Sequence, residues 1–245
     1  MRRNNRLIAS ATLPVTEWAA IPQRIAESFL AGIENPRVLD AGCGDCCSVP
    51  MPSHAYIVGI DDSPEALERN NCVHQKILGD LQTYPLEASS YDLIVCIDVL
   101  EHLPHPHKAL QNLWQALKPG GLMILRAPNL WSLKGLITKL TPHWVHVAFR
   151  RYILGYKNAG EPGYPPFKTY LRTSMTPKAV ACWISQHGGT VRGLYFCEGS
   201  DLYSLRRYSK ILWGVWNALL LLAYMLSFGR YQERTDYILI IEKSL

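Results

Sequence analysis

Charged residues make up only 18% of the 245-residue chain, and no unbroken apolar run follows the basic N-terminus before Pro14. The low charge accompanies 48% hydrophobic residues, a composition that excludes a largely disordered chain and suffices for one buried α/β core. Without the apolar run, we expect no secretory signal. The 7 cysteines are odd in number and irregularly spaced, so we expect reduced thiols and a cytoplasmic protein.

Acidic residues are slightly outnumbered, and the net charge of +5 is concentrated in three basic clusters. The clusters are Arg2, Arg3 and Arg6; Arg150 and Arg151; and Arg206, Arg207 and Lys210. Such clusters either face solvent or contact an anionic partner. Because the net charge is mild and the sequence has no N-P-P-Y base-flipping motif, we expect no nucleic-acid partner.

Short apolar segments alternate with predicted helices along the first half of the chain. Buried strands are predicted at residues 37–40, 56–60, 91–97 and 122–126, and helices at 15–33, 64–67 and 106–117. This alternation predicts a parallel sheet with right-handed crossovers. After a helix at 176–187, strands at 191–197 and 237–241 predict a hairpin-like edge. The predicted fold is a doubly wound, mainly parallel, Rossmann-like α/β sheet with an antiparallel C-terminal edge strand.

Two polar motifs follow the first two predicted strands. Asp40, Gly42, Cys43 and Gly44 lie in a turn whose glycines allow a ligand to approach the backbone closely. Asp61 ends the second strand, where its carboxylate can accept both hydroxyls of a ribose. Ligands of open α/β sheets bind outside the carboxyl ends of the strands, so these motifs should meet at one rim.

Two further motifs are expected at the same rim. Asp80 and Leu81 follow Gly79, and a carboxylate beside a backbone N–H can contact an adenine edge. The strand at 91–97 ends with Cys96 and Ile97. Each of the four motifs is weak evidence alone, but all four are expected to meet at one rim of the sheet.

Together, these motifs resemble the class I S-adenosylmethionine (SAM) dependent methyltransferases of the type 11 group, over roughly residues 36–128. The resemblance implies SAM as the cofactor. It implies that Asp40, Gly42, Cys43 and Gly44 face the methionine part of SAM, that Asp61 and Asp62 lie at the ribose, Asp80 and Leu81 at the adenine, and Cys96 and Ile97 beside the cofactor.

A dinucleotide dehydrogenase is the main rival to this resemblance. The fingerprint G-x-G-x-x-G requires glycine or alanine at position 47, where this chain has Cys47. The acidic Asp40 before the turn also disfavours a pyrophosphate. One departure from the methyltransferase pattern is the pair Pro50 and Pro52, where the family usually has a helix. Because an interior proline costs about 3 kcal/mol in a helix, we predict a loop there.

The chain is predicted to be a single domain with lid insertions. We expect an N-terminal helical cap at residues 1–36, a SAM-binding core at 37–128, a substrate lid at 129–175, and the C-terminal part of the sheet at 176–245.

His102 is the candidate catalytic residue. Methyl transfer depends largely on positioning the two reactants, and a hydroxyl or amine acceptor also needs a base. The alternative is a structural histidine that bonds to nearby backbone. Asp98, Glu101 and His102 also resemble the E-x-x-E-H metal site of ubiquinone-type O-methyltransferases. Asp98 stands where that pattern has Glu, and its shorter side chain brings the carboxylate less close to a metal ion. We therefore predict no metal.

Residues 211–228 carry no charge and are near the lower length limit for a bilayer about 30 Å thick. A single crossing would separate strands 191–197 and 237–241 of one sheet. The segment is therefore predicted as a buried helix, a homodimer contact, or a helix in a membrane interface with Arg206, Arg207 and Lys210 toward headgroups.

The predicted function is methyl transfer from SAM to a small-molecule or lipid- or glycan-linked acceptor, O- or N-directed, by a cytoplasmic and potentially membrane-peripheral enzyme. The alternative is a catalytically inactive SAM-binding regulatory or partner subunit, because intact cofactor motifs do not prove transfer.

Overall fold

The computed structural model describes residues 18–161, 164–229, 231 and 233–245. Within them one sheet contains strands β1 (Arg37–Ala41), β2 (Tyr56–Asp61), β3 (Gln75–Leu78), β4 (Tyr91–Ile97), β5 (Leu117–Pro128), β6 (Gly189–Cys197) and β7 (Asp236–Lys243). Their order is β3-β2-β1-β4-β5-β7-β6. Arg2, Arg3, Arg6 and the first half of the predicted N-terminal cap lie outside the described residues.

The helices flank this sheet. They are α1 (Ala20–Leu30), α2 (Pro64–Arg69), α3 (Pro106–Ala116), α4 (Leu133–Leu140), α5 (His143–Ala148), α6 (Pro177–Gln186), α7 (Ser200–Tyr208) and α8 (Lys210–Leu226). Short turns of 3₁₀-helix cover Leu100–His102 and Thr173–Met175, and a π-helical turn covers Phe149–Ile153.

The sheet topology confirms the predicted fold class. Strands β1 to β5 pair in parallel, and β7 pairs antiparallel with both β5 and β6. The antiparallel strand β7 therefore lies second from the edge, and β6, which precedes it in sequence, closes the sheet. Strand β1 lies between β2 and β4, so the strand order reverses there, and ligands of such sheets bind at this position.

Both faces of the sheet are buried, which explains the nearly continuous apolar strands. Leu39 packs on the face that carries α3 and α6, in one cluster with Leu113. Its neighbour Val38 points to the opposite face and packs with Leu93 and with Leu30 of α1. Alternate strand residues thus contact opposite helix layers, as the period of two along a strand requires.

Local turn chemistry agrees with the sequence predictions. The Ser63 hydroxyl accepts a hydrogen bond from the Ala66 N–H (3.2 Å) and caps α2. Thr176 caps α6 in the same way through the Ala179 N–H (3.4 Å). Residues 45–55, which include both loop prolines, form no helix.

Three features differ from the predictions. Strand β3 was not predicted, because only Ile77 among its four residues packs against the core. The lid segment contains the helices α4 and α5, and α7 follows β6. The interpretation of residues 211–228 as a buried helix is wrong: every residue of α8 is described and none is buried.

Candidate functional site

The loop after β1 is shaped by two glycines in left-handed conformation. The N–H groups of Gly42 and Cys43 both donate to the Ile60 carbonyl, at 2.8 and 3.2 Å, which fixes the loop over the end of β2. Gly42 has φ +76°, and a Cβ there would lie 2.8 Å from Cγ1 of Val99 and closer still to its Cγ2. Gly44 has φ +55°, but no atom lies within 4 Å of the position its Cβ would take. The loop is therefore packed at Gly42 and open at Gly44.

We predict that Gly42→Ala destabilises the protein by about 2–5 kcal/mol, which combines left-handed strain with overpacking against Val99. Gly44→Ala is the matched control and should cost only the strain, about 1–2 kcal/mol. Urea denaturation measures both. Equal losses for the two variants would mean that the Val99 contact contributes nothing.

Asp61 connects this loop to the second strand. Its Oδ2 accepts a hydrogen bond from the Gly44 N–H (2.9 Å), and its Oδ1 accepts one from the Ser63 N–H (2.9 Å). The buried Asn70 amide donates to the carbonyls of Cys43 (3.3 Å) and Gly44 (3.1 Å) from the other side. Asn70 was not singled out from the sequence, because its role depends on a contact between distant segments.

Asp40 provides the observation against which a cofactor can be tested. The Ser48 N–H donates to its Oδ2 (2.8 Å), whereas its buried Oδ1 has no hydrogen-bond partner among the described residues. Burial raises the pKa of Asp40 to about 6, opposed by the Ser48 hydrogen bonds and reinforced by the charge of Asp61. An unsatisfied buried acceptor beside the open position at Gly44 fits a ligand that brings a hydrogen-bond donor, as the amino group of SAM does.

The remaining predicted cofactor residues differ in how exposed their side chains are. Asp62 is largely exposed. Partial burial raises the pKa of its carboxyl group, and the charges of Asp61 and Asp80 add to this shift. Asp80 accepts a hydrogen bond from the Gln82 N–H (2.8 Å). The side chains of Cys43, Leu81 and Cys96 are buried, so only their backbone or one edge can reach a ligand; Ile97 is half-buried.

A second site, called here the acceptor cavity, begins where β4 ends. It has a volume of about 590 Å³ and lies between the lid, α7 and α8. Its polar floor contains Asp98, Glu101, His102, Arg126, Lys134, Arg150, Asp201 and Asp236. Its walls are mostly apolar and include Ile137, Val145, Phe149, Leu154, Phe167, Leu202, Leu205, Leu212, Val215, Trp216 and Leu219.

His102 lies at the floor of this cavity, in the 3₁₀ turn after β4. Its Nδ1 lies 2.9 Å from the Lys168 carbonyl oxygen. A carbonyl only accepts, so Nδ1 carries the proton and the neutral ring keeps its lone pair on Nε2. Burial lowers the pKa of His102, which favours this neutral form, and the hydrogen bond to Lys168 opposes it. His102 is therefore arranged as a base.

Two carboxylic acids line the cavity together with His102. Glu101 is buried, its Oε1 lies 4.0 Å from Nε2 of His102, and its Oε2 has no hydrogen-bond partner in the described part of the chain. Burial, reinforced by the charge of Asp98, raises the pKa of Glu101 well above its ordinary value. Burial also raises the pKa of Asp98 to about 6, although the Arg126 guanidinium at 2.9 Å opposes that shift.

Arg126 joins the acceptor cavity to Trp18. It lies near the end of β5, pairs with Asp98, and stacks over the Trp18 ring with Cζ 3.8 Å from the ring centroid. Trp18 in turn donates from Nε1 to the Glu198 carbonyl (2.9 Å). The Arg126–Trp18 contact could not be predicted from the sequence, because it joins residues more than a hundred positions apart.

Asp201 of α7 joins the lid to the C-terminal helices. It accepts a hydrogen bond from Arg150 and lies 3.4 Å from Nζ of Lys134, which is also 3.8 Å from Asp236. Although burial raises the pKa of Asp201, the charges of Lys134 and Arg150 hold it below its ordinary value. Two cations of the predicted lid, Lys134 and Arg150, are therefore paired with one carboxylate.

We predict that Asp201→Asn lowers stability by about 1–2 kcal/mol, less than a fully buried pair would cost because 36% of the Asp201 side chain is exposed. A lowered carboxylate pKa stabilises the fold above the ordinary Asp value near pH 4 and loses that effect as the pH falls through the lowered pKa. The variant and the parent should therefore converge in urea denaturation at acid pH. A difference that persists there would contradict the ion-pair explanation.

Metal ligands do not converge in the described residues, where no group of three or more His, Cys, Asp or Glu side chains could hold an ion. Asp98 turns toward Arg126, with φ +56°, and His102 turns toward Lys168. The sequence similarity to the E-x-x-E-H pattern is thus not matched by a ligand set.

Comparison with known proteins finds a match to one segment of the chain. Residues 39–125 match the family model of a methyltransferase domain. The ubiquinone biosynthesis O-methyltransferase of Coxiella burnetii is 29% identical over 106 residues, which are 40% of this chain and 45% of that protein. The protein of the same name from Cupriavidus pinatubonensis is 25% identical over 217 residues, 83% of this chain and 77% of that protein. The chain thus spans about half the length of the first of these relatives.

Solved structures agree on the fold. A SAM-dependent methyltransferase from Archaeoglobus fulgidus superposes with a TM-score of 0.52 at 17% identity, covering 92% of this chain and 94% of that one. One from Mesorhizobium loti gives 0.52 at 13% identity, covering 93% and 99%. Separately, no helix in the described part of the chain combines the length and the apolar character that a membrane crossing requires.

Proposed function

We propose that this chain, whose residues 39–125 match the family model of a methyltransferase domain, is a class I SAM-dependent methyltransferase that transfers a methyl group to the hydroxyl or amine of an amphipathic, lipid-linked acceptor. The observation that carries the proposal is the acceptor cavity, which joins a base at its floor to long apolar walls. Cavities of this size and lining bind molecules that are largely apolar with few polar groups.

The cofactor implied by the family and fold is SAM, which supplies an electrophilic methyl group. Asp61 is proposed to accept the ribose hydroxyls while it holds the loop through the Gly44 N–H. Asp40 is proposed to accept from the amino group through its unpartnered Oδ1. Asp80 and Leu81 are proposed to bind the adenine edge. The open space at Gly44 is proposed to let the cofactor approach the backbone of the loop after β1.

The acceptor's polar head is proposed to bind between His102 and Glu101. The neutral His102 takes the acceptor proton at Nε2, since its Nδ1 is already committed to Lys168. Glu101, whose pKa is raised by burial, is proposed to form a hydrogen bond with the acceptor through the oxygen that lacks a partner among the described residues. Both groups orient a hydroxyl or amine, and removal of its proton increases its nucleophilicity.

The relatives favour oxygen over nitrogen as the methylated atom. Both of the curated relatives described above are named ubiquinone biosynthesis O-methyltransferase, and their name specifies O-methylation. Cytoplasmic location and peripheral contact with a membrane form part of the proposal, because a lipid-linked acceptor resides at such a surface.

The proposal is tested with tritiated SAM and phenols that carry linear alkyl chains of increasing length, alongside the matching alkylanilines. We expect kcat/KM to rise about threefold to fourfold per added methylene until the cavity is filled, since each buried CH₂ contributes about 0.8 kcal/mol. Thr138→Trp, which narrows the cavity, should shorten the preferred chain. Leu140→Trp on the same helix is the control, because Leu140 is 80% exposed.

The outcomes separate the candidate functions. A rate that does not depend on chain length would contradict the apolar acceptor. Transfer to the anilines but not the phenols would overturn the preference for oxygen. SAM binding without transfer to any member of either series would favour the inactive SAM-binding partner subunit.

A further inference from the structure

The helix α8 displays an apolar surface that the described part of the chain leaves uncovered. We infer that α8 and the adjacent exposed lid residues dock onto an anionic bilayer surface, and that the acceptor enters the cavity from that surface. The inference rests on the proposed function, because it supplies a route for a lipid-linked acceptor. We call this surface the docking surface; it comprises α8 with Trp131, Leu140, Trp144 and Tyr152 of the lid.

Exposure is the first argument. Leu221 and Met225 are each 57% exposed and Leu226 is 73% exposed, although they belong to the most apolar helix of the chain. The lid adds Trp144, 70% exposed. Exposed apolar side chains grouped on one helix in this way mark a binding surface.

Continuity with the acceptor cavity is the second argument. One face of α8 lines the cavity through Leu212, Val215, Trp216 and Leu219. Val215 and Leu219 also remain 53% and 42% exposed, so the cavity wall and the outer surface meet at these residues. The buried Trp216 Nε1 has no hydrogen-bond partner among the described residues, which leaves a donor for the acceptor.

Charge identifies the occupant. Residues 102–160 and 202–232, which carry the docking surface, contain no Asp or Glu, whereas the rest of the chain contains all 20. Lys139, Arg207 and Lys210 are exposed within these segments. Basic residues beside an apolar helix match an anionic bilayer, where each cation near the surface contributes about 1 kcal/mol.

Helix length sets the orientation. The 17 residues of α8 extend about 25 Å at 1.5 Å per residue, short of a hydrocarbon core about 30 Å thick. If α8 lies in the membrane interface, its outward face is buried in the bilayer surface. The strands β6 and β7, which precede and follow α8 in sequence, then stay on the same side of the membrane and in one sheet. A second copy of the chain fits less well, because a twofold contact would bring the same basic segments together.

The test is sedimentation with vesicles of phosphatidylcholine alone and of phosphatidylcholine with phosphatidylglycerol. Leu221→Glu with Met225→Glu should weaken binding to the anionic vesicles by at least about 100-fold, since two apolar side chains leave the interface. Ser28→Glu on α1 with Ala31→Glu just after its end makes the same charge change at exposed positions and should have little effect. Arg207→Gln with Lys210→Gln should cost about 30-fold on the anionic vesicles and nothing on phosphatidylcholine alone.

Methylation of short alkylphenols without vesicles is measured for every variant, so that failure of docking and failure of the proposed function are distinguished. The inference is supported if the α8 variants keep this activity and lose only vesicle binding. It is overturned if the wild-type protein binds neither vesicle type, or if the α1 and α8 variants bind the anionic vesicles equally well. A wild-type dimer that Leu221→Glu with Met225→Glu dissociates, without vesicle binding, would assign the surface to a second copy and likewise overturn it.

Discussion

Asp61→Ala is expected to weaken SAM binding by about 100-fold to 1,000-fold while the chain stays folded. The carboxylate is assigned two contacts to the ribose, and it also holds the loop through the Gly44 N–H. Hydrogen bonds to a charged group contribute about 1.5–3 kcal/mol each, so the loss of two costs about 3–6 kcal/mol, and the expected change lies at the lower end of that range. Calorimetric titration with SAM measures the effect directly.

The matched control is Glu68→Ala, an exposed acid on α2 near Asp61 in sequence. It removes the same charge without touching the loop and should leave SAM affinity unchanged. Far-ultraviolet circular dichroism and urea denaturation establish that both variants are folded. Unchanged affinity in Asp61→Ala would refute the ribose assignment and require another group at the end of β2.

His102→Asn is expected to lower kcat by about 100-fold to 10,000-fold, the usual contribution of a general base. The asparagine amide can still donate to the Lys168 carbonyl, so the lid contact is preserved while the base is lost. SAM affinity should not change, because His102 lines the acceptor cavity rather than the cofactor loop.

The pH profile of the parent enzyme provides an independent readout. Because burial lowers the pKa of His102, kcat should fall only at pH values below the ordinary histidine value of about 6.5, as Nε2 becomes protonated. His102→Asn should lack this acid limb. If turnover and pH profile are the same in the variant and the parent, His102 is a structural residue.

Much of the fold was predictable because local sequence and global topology agree. The strands from β1 to β5 that are buried on both faces have continuous apolar sequences, and Ser63 and Thr176 mark helix starts that the structure confirms. β3 was missed for the opposite reason: at the sheet edge, three of its residues are exposed and its pattern resembles a loop.

The candidate site was predictable only where one strand end and its following loop supply the chemistry. Asp40, Gly44 and Asp61 converge as their spacing predicts, since β1 and β2 pair in register. Asn70 and Asp201 were missed because they act across segments far apart in sequence. Of the alternatives for α8, the buried helix was wrong; high hydrophobicity favours burial, and the sequence does not show which neighbouring surface would cover the helix.

The central claim is that the rim of β1 and β2 binds SAM. Calorimetric titration of the purified protein with SAM and S-adenosylhomocysteine, with NAD as the control, tests it most directly. Binding of both adenosyl ligands and none of NAD is the predicted result. No binding of either adenosyl ligand by the folded protein would contradict the account, and would mean that the proline-containing loop after Gly44 has closed the methionine pocket.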